Sequence, residues 1–266
     1  MLPPDYHMHT PLCQHATGEP YEYAITALKN GLTEIGFSDH APMPQDNFDN
    51  WRMSYNQLDS YIDSIIQVQK KVPDLQIKIG LEIDFIPGCE DWIRSLISRY
   101  SWDYVIGSVH YVEPGWDIDN PGKIHLWKKH DINEIWIRYL ELVNAAAVSG
   151  LFDFIGHYDL PKKFGHRPTV DLSAHHKIVL LNAAKTNTAI EINTAGLRKT
   201  CSEVYPSADI LNLALESGVK IVFGSDAHSP DEVGFHFSEA LELVKSLGFN
   251  SSVNFSKRNT TEFKLF

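Results

Sequence analysis

Residues 220–228 read KIVFGSDAH, an apolar run that ends in an aspartate and a histidine two residues apart. A strand that is apolar at consecutive positions is covered on both faces of its sheet, which is typical of parallel sheets flanked by helices. In an extended chain, residues i and i+2 project to the same side, so Asp226 and His228 can direct two ligand atoms to one place. The stretch therefore predicts a buried parallel strand that ends in a candidate metal-ligand pair.

Six further β-rich runs precede this one and alternate with segments of helical character. The predicted strands are Asp5–His9, Glu34–Ser38, Gln76–Glu82, Tyr104–Ser108, Phe152–Gly156, Ala189–Asn193 and Lys220–Gly224. The predicted helices are Tyr21–Asn30, Gln57–Lys71, Trp92–Arg99, Ile132–Ser149, Leu172–Ala184, Ala208–Ser217 and Phe235–Leu247. This alternation favours a parallel sheet, and seven units favour its closure into a barrel. An open doubly wound sheet is the alternative, but no GxGxxG motif follows the first strand.

Length and composition exclude several classes of protein. The 266 residues contain no linker-like run, so a single domain spanning 1–266 is expected. The net charge of −11 argues against a protein that binds long nucleic acid through a basic surface. Cys13, Cys89 and Cys201 are too far apart for a thiolate zinc finger and do not indicate a disulfide framework. With neither a signal sequence nor a long apolar stretch, we expect a soluble, cytoplasmic protein without a membrane partner.

Nearly every predicted strand ends in a residue that can ligate a metal. The candidates are His7, His9, His15, Asp39, His40, Glu82, Asp84, His110, His157, Asp159, Glu191, Asp226 and His228. The carboxyl ends of barrel strands share one face, so this repetition argues for a metal site rather than for isolated structural histidines. Imidazole and carboxylate ligands suit zinc, iron or manganese. The remaining histidines lack this spacing and are expected at the surface: His125, His130, His166, His175, His176 and His236.

These motifs resemble those of the polymerase and histidinol phosphatase (PHP) superfamily, specifically its histidinol-phosphate phosphatase branch. The matching segments are HMHTPLCQHA at 7–16, FSDHAPMP at 37–44, GLEIDF at 80–85, GSVHY at 107–111, GHYDLPKKF at 156–164, EINTAGLRK at 191–199 and GSDAHSP at 224–230. The resemblance covers almost the whole chain. It implies a distorted (β/α)7 TIM-like barrel with a trinuclear metal site at the C-terminal ends of the strands.

The resemblance also implies which residues hold the metals. The first metal would be held by His7, His9, Glu82 and Asp226, the second by Glu82, His110 and His157, and the third by His15, His40 and His228. With three divalent ions, zinc, iron or manganese, the implied activity is hydrolysis of L-histidinol phosphate by in-line attack of a metal-bridging hydroxide. Glu82, Asp226 and His228 would then act through the metals. Cys13 is expected to pack rather than to act as a nucleophile.

The substrate contacts are predicted from the chemistry of individual side chains and from the resemblance. Arg198 is the leading candidate for phosphate binding, because a guanidinium can contact two phosphate oxygens at once. Lys162, with its neighbour Lys163, and Ser207, in a tract that resembles the phosphatase branch, are further candidates. The carboxylates that could hold the histidinol ammonium and imidazole are Asp39, Asp84, Asp159, Glu113 and Asp117. The sequence does not choose among them, and for the proton donor Asp39 and a metal-bound water both remain open.

Residues 112–131 read VEPGWDIDNPGKIHLWKKHD, a long segment without clear periodicity. It is either a lid over the barrel mouth or a disordered insertion, and Trp116 and Trp127 favour a packed lid that shapes the substrate pocket.

Three other functions remain open: a PHP phosphoesterase for another small phosphomonoester, a nuclease, and a non-catalytic metal-binding module. The acidic balance disfavours the nuclease, and the complete ligand set disfavours the module. The expected partner is therefore a small-molecule phosphomonoester, with no nucleic acid. No oligomeric state is predicted.

Overall fold

The computed structural model describes residues 1–46 and 48–266 and is built around a parallel sheet. The strands are β1 (Glu34–Phe37), β2 (Gln76–Asp84), β3 (Tyr104–Ser108), β4 (Tyr111–Glu113), β5 (Trp116–Asp117), β6 (Phe154–Ile155), β7 (Ala189–Asn193), β8 (Ile221–Gly224), β9 (Ser251–Ser256) and β10 (Asn259–Lys264). Six of them form the central sheet in the order β1-β2-β3-β6-β7-β8, and every neighbouring pair is parallel. The predicted α/β TIM-like architecture is confirmed.

Helices connect these strands along the chain. They are α1 (Pro20–Lys29), α2 (Leu58–Lys71), α3 (Glu90–Arg99), α4 (Ile132–Val148), α5 (Ser173–Thr186), α6 (Ala208–Ser217) and α7 (Phe237–Leu247). The seven predicted helices correspond to these in order. Within residues 1–46 and 48–266, none of the helices combines the length and apolarity that a membrane span needs.

The predicted first strand, Asp5–His9, is not a regular strand. It forms isolated parallel bridges, from Asp5 to Ile35 in β1 and from Met8 to Ala227 beyond β8. Its backbone hydrogen-bonds on both sides, so it lies between the first and last strands of the sheet. The segment is irregular because it forms a β-bridge to each neighbour at only a single residue. It nevertheless takes the seventh position of the barrel, since its backbone hydrogen-bonds to both edges of the sheet.

A C-terminal hairpin of β9 and β10, which the sequence did not predict, covers the amino-terminal end of the barrel. Arg258 Nε lies 2.8 Å from Asp153 Oδ2, and the backbone N–H of Arg258 donates to Asp103 O at 2.8 Å. Asp103 and Asp153 immediately precede β3 and β6. The hairpin thus closes one end of the barrel, while the carboxyl ends of the strands face the other.

Aromatic side chains fill the barrel interior above this hairpin. Phe255 packs against Tyr6, Tyr104 and Phe154, with ring centroids 5.5, 5.8 and 5.4 Å away. A Cβ at Gly80 would overlap the Tyr104 ring, so this position in β2 requires glycine for close packing. The interior is therefore a packed core, as in other small barrels.

Residues 112–131 are not disordered. They contain the β4–β5 hairpin and a 3-10 helix over Pro121–Lys129. Trp116 and Trp127 are buried and pack edge to face with ring centroids 5.6 Å apart. The two tryptophans anchor the segment, as the aromatic content predicted.

One of the histidines expected at the surface is buried. His176 is 6% exposed, because its face of α5 packs inward, and its Nδ1 lies 3.3 Å from the Tyr158 hydroxyl. His166 is half-buried and stacks on Trp127 at 4.2 Å. The other four are exposed: His125, His130, His175 and His236.

Candidate metal centre

Three groups of imidazole and carboxylate side chains meet at the carboxyl ends of the barrel strands. Within each group the ligand atoms lie within 4.8 Å of one another. The first cluster contains His7, His9 and Glu82, the second Glu82, His110 and His157, and the third His15, His40 and His228. Asp226 adjoins the first cluster, since its Oδ1 lies 3.3 Å from His9 Nε2. The structure thus brings together every predicted metal ligand, in the sets that the resemblance implied.

The Glu82 carboxylate lies between the first two clusters and is 1% exposed. Its Oε2 lies 3.3 Å from His7 Nε2 and 2.8 Å from His40 Nδ1, while its Oε1 lies 3.0 Å from His157 Nε2. The Ser108 hydroxyl donates to Oε1 at 2.6 Å. Burial opposes ionisation, but the imidazoles of His40 and His7 hold the pKa of Glu82 well below its usual range. The carboxylate shared by the two clusters is therefore anionic.

Several buried donor atoms of these clusters have no hydrogen-bond partner among the described residues. They are His7 Nε2, His9 Nδ1, His9 Nε2, Glu82 Oε2, His157 Nδ1 and His228 Nε2. His7 Nε2 and Glu82 Oε2, for example, are 3.3 Å apart without hydrogen-bond geometry. Buried polar atoms are normally paired, and an ion is one explanation for a group of exceptions. Because imidazole nitrogens and carboxylate oxygens are the ligands that zinc, iron and manganese accept, the donor set fits divalent metals.

The second ring nitrogen of several cluster histidines is held by an acceptor. The Nδ1 pairs are His7 with Glu191 Oε1 at 2.7 Å, His110 with Asp84 Oδ1 at 2.8 Å, His15 with Cys13 O at 2.8 Å, and His228 with Asp226 O at 3.0 Å. An acceptor at Nδ1 places the proton there and leaves the Nε2 lone pair free for a metal. The four rings are thus oriented for coordination through Nε2.

Glu191 and Asp84, which strand position alone did not distinguish from ligands, each contact the Nδ1 atom of a cluster histidine. Glu191 is fully buried, and its Oε2 accepts from the backbone N–H of His157 at 2.8 Å. A Cβ at Gly224 would overlap this carboxylate and lie 2.6 Å from His7 Cβ, so glycine in β8 leaves room for the Glu191–His7 pair. These carboxylates orient the imidazoles rather than face the cleft.

Two cluster residues adopt positive φ angles, +25° at His157 and +53° at Asp226. Such conformations cost free energy in non-glycine residues and are concentrated at functional sites. Arg198 holds one of these turns, because its Nη2 donates to Ser225 O at 3.0 Å and to Asp226 O at 3.1 Å. The backbone is therefore fixed where the ligands project.

Cys13 lies beside the clusters, and its sulfur is within 4.8 Å of donor atoms of His9 and His228. Burial raises the pKa of the Cys13 thiol to about 12, so the thiol stays protonated at neutral pH. This agrees with the expectation that Cys13 packs rather than attacks a substrate.

The clusters open into a cleft of about 620 Å³. Outside the clusters its walls include Trp51, Asp117, Asp119, Lys163, Lys199, Tyr205 and Glu232. Lys163 Nζ pairs with Asp119 Oδ2 at 3.0 Å. Charges of both signs therefore face the space beside the candidate metals.

The three predicted substrate contacts lie outside the cleft lining that the described residues form. Lys162 differs most from the prediction, because it is 1% exposed and its ammonium is already paired with Asp159 at 2.8 Å. Ser207 donates its backbone N–H to the same carboxylate at 3.0 Å. Arg198 Nε lies 3.1 Å from Glu232 Oε1, so substrate contact by Arg198 or Ser207 stays a prediction.

Among the cleft-wall residues that sequence reasoning missed are Lys199, Asp119, Trp51 and Glu232. Lys199 directly follows Arg198 in the GLRK motif, and Asp119 lies in the same loop as Asp117, so both carried a positional signal. Trp51 and Glu232 carried none that periodicity or strand position could reveal.

Comparison with known proteins agrees with this geometry. The PHP domain model matches residues 5–195, and the chain belongs to the PHP domain family. It is 45% identical over 245 residues to a Deinococcus radiodurans protein named "Probable histidinol-phosphatase", covering 92% of this chain and 93% of that protein. It is 31% identical over 266 residues to the histidinol-phosphatase of Bacillus subtilis, covering 90% and 98%.

A solved structure shares the fold. The crystal structure of histidinol phosphate phosphatase from Lactococcus lactis, complexed with zinc, L-histidinol and phosphate, aligns with a TM-score of 0.79 at 24% identity. The alignment covers 97% of this chain and 98% of that one.

Proposed function

We propose that this chain hydrolyses L-histidinol phosphate to L-histidinol and inorganic phosphate, with three divalent cations as cofactors. The observation that carries the proposal is the meeting of three donor clusters, two of which share Glu82, at one open cleft. Relatives named histidinol-phosphatase at 45% and 31% identity support the substrate. The zinc in the Lactococcus lactis enzyme supports the class of metal.

The first cluster with Asp226, the second cluster and the third cluster would each hold one ion. When bound, divalent cations activate water as a nucleophile and neutralise charge on the phosphoryl and leaving oxygens. The mixed nitrogen and oxygen donors accept zinc, iron or manganese, so availability contributes to which metal is bound.

Phosphate binding would use the cations of the cleft wall, Lys163 and Lys199. Burial opposes ionisation of Asp119, but Lys163 and His110 hold the pKa of Asp119 at about 2. The ionised carboxylate therefore keeps the Lys163 ammonium at the cleft. An ammonium in this position can donate charge-assisted hydrogen bonds to phosphate oxygens.

The leaving group would be held by the remaining wall. Asp117 and Glu232 supply carboxylates for the histidinol ammonium, and Trp51 supplies an aromatic surface for the imidazole. Trp51 is itself supported by Tyr111, whose ring stacks at 6.0 Å with an interplanar angle of 11°. Charge and shape therefore suit a small cationic amino alcohol.

The test is steady-state phosphate release by protein stripped with a chelator and reloaded separately with manganese, zinc or iron. The panel contains L-histidinol phosphate, other small phosphomonoesters and a single-stranded oligonucleotide. We expect a preference of roughly 10⁴-fold or more in kcat/KM for histidinol phosphate, the order of discrimination that a site built to hydrogen-bond its substrate supplies.

The other outcomes contradict this proposal in distinguishable ways. Equal rates across the phosphomonoesters would indicate a general phosphatase. Faster cleavage of the oligonucleotide would indicate a nuclease. Bound metal without turnover would indicate a non-catalytic module.

A further inference from the structure

A buried arginine outside the three clusters connects several loops around them. Arg52 lies between β1 and α2 and is 6% exposed. Each of its guanidinium nitrogens donates: Nε to Asp49 Oδ2 at 2.8 Å, Nη1 to Ala41 O at 3.0 Å, and Nη2 to Asp84 Oδ2 at 2.8 Å. Such complete pairing of a buried guanidinium fixes its position.

The contact with Asp84 leads directly to the second cluster. Asp84 is 2% exposed, and its other oxygen, Oδ1, lies 2.8 Å from His110 Nδ1. The backbone N–H of His110 donates to the same Oδ1 at 3.2 Å. Because one carboxylate oxygen is held by Arg52 and the other by His110, the arginine sets the angle at which Asp84 meets the imidazole.

The same guanidinium supports the cleft wall. Its central carbon lies 4.1 Å from the centroid of the Trp51 ring, within cation–π distance. Trp51 in turn stands edge-on to His40 at 4.7 Å and to His110 at 5.2 Å. Arg52 therefore contacts both the partner of a cluster histidine and the aromatic residue that encloses it.

We propose that Arg52 is a positioning residue for the metal held at the second cluster, acting through Asp84 on His110. This inference rests on the proposed function, since it requires that the second cluster bind an ion. Changes to the hydrogen-bond partners of metal-ligating histidines typically lower metal affinity by about 10–100-fold. A purely structural arginine would instead change stability and leave metal affinity unaltered.

The experiment compares R52M, D84N and the R52M/D84N double variant with the wild type. A matched control is R99M, which removes an arginine whose side chain is 34% exposed and pairs with Asp59. Each protein is loaded with zinc and dialysed against a graded series of chelator concentrations. Bound zinc is counted by mass spectrometry, and the Tm of each metal-free protein is measured by circular dichroism.

We expect R52M and D84N each to lose one ion at a chelator concentration about 10–100-fold lower than the wild type, with the other ions retained. The double variant should release its ion at the same chelator concentration as D84N alone, because both changes act on His110 through one carboxylate. R99M should match the wild type.

A retention curve for R52M that coincides with the wild type, with only a lower Tm, would overturn the proposal, as would additive effects in the double variant. If R52M fails to fold, R52K takes its place. Lysine keeps the positive charge but lacks the several donor nitrogens of the guanidinium, so the chelator concentration that releases the ion should shift less, in the same direction. A wild type that binds zinc but hydrolyses no phosphomonoester would refute the proposed function and leave the retention result intact.

Discussion

Replacing Glu82 by glutamine should weaken two of the three clusters at once. The carboxylate is nearly fully buried, and its oxygens lie 3.3 Å from His7 Nε2 and 3.0 Å from His157 Nε2. One negative charge therefore serves both the first and the second cluster. An amide of the same shape keeps the packing but offers a neutral and weaker ligand to both.

The magnitude follows from this sharing. Losing a mere hydrogen-bond partner of a ligand lowers metal affinity by about 10–100-fold, which is a lower limit for losing the ligand charge itself. If each cluster loses that much, the two losses multiply to roughly 10²–10⁴-fold in kcat/KM at limiting metal, or about 3–5 kcal/mol. Metal content should fall by two ions. The third cluster contacts Glu82 only through His40 Nδ1, at 2.8 Å, and because a glutamine can still hydrogen-bond that nitrogen, this cluster should keep its own ion.

The assay is phosphate release from L-histidinol phosphate, with metal content measured on the same samples. E191Q is the matched variant, because Glu191 contacts the His7 side chain alone among the cluster imidazoles and should cost only about 10–100-fold. E216Q, at an exposed position of α6, controls for the substitution itself. The reasoning is refuted if E82Q retains the wild-type ion count, or if its loss does not exceed that of E191Q.

Three further outcomes are expected. Burial lowers the pKa of His176 from 6.5 in the unfolded chain to about 4, so its contribution to stability is present above pH 6.5 and is lost as the pH falls towards 4. Between pH 7 and pH 4, the free energy of unfolding in urea should therefore fall less for H176Q than for the wild type, by up to about 3 kcal/mol. An equal fall in the two proteins would contradict this. F255A should lower the free energy of unfolding by about 3–5 kcal/mol without changing kcat/KM of the metal-loaded enzyme, because Phe255 lies at the opposite end of the barrel. K163M should lower kcat/KM by roughly 10–100-fold at unchanged metal content, whereas an unchanged KM and kcat would exclude Lys163 from phosphate binding.

The strand and helix order could be predicted because buried parallel strands are apolar at consecutive positions and alternate with helices. Six predicted runs became strands of the central sheet. Asp5–His9 did not, because its backbone pairs with two neighbours at isolated residues, and no local pattern encodes that. The β9–β10 hairpin was missed for two reasons. Strand β10 is only partly buried, and the packing of β9 depends on the contact of Phe255 with Tyr6, about 250 residues away in the chain.

The gathering of the candidate ligands other than His15 could be predicted because each is a histidine or carboxylate at or just beyond the carboxyl end of a predicted strand, where barrel geometry brings such residues together. Their coordination of metals stays a prediction. Trp51 and Glu232 of the cleft wall could not be predicted, because neither lies at the end of a strand: Trp51 lies between β1 and α2, and Glu232 lies in a short 3-10 helix, Pro230–Glu232. Lys162 shows the opposite error: its motif is basic, but a buried partner, Asp159, turns its ammonium away from the cleft.

The sequence by itself determined the fold class, the parallel order of strands and the chemical types of the donors, since these follow from local periodicity and residue identity. Only the tertiary structure decided how the buried carboxylates are placed around the imidazoles. Glu82 and Glu191 are alike in sequence as glutamates within apolar strands. Glu82 lies between the imidazoles of two clusters. Glu191 instead contacts Nδ1 of His7, because Gly224 in the neighbouring strand β8 leaves room for the pair. Such a distinction depends on distances of a few ångströms between residues far apart in the chain, which no single segment specifies.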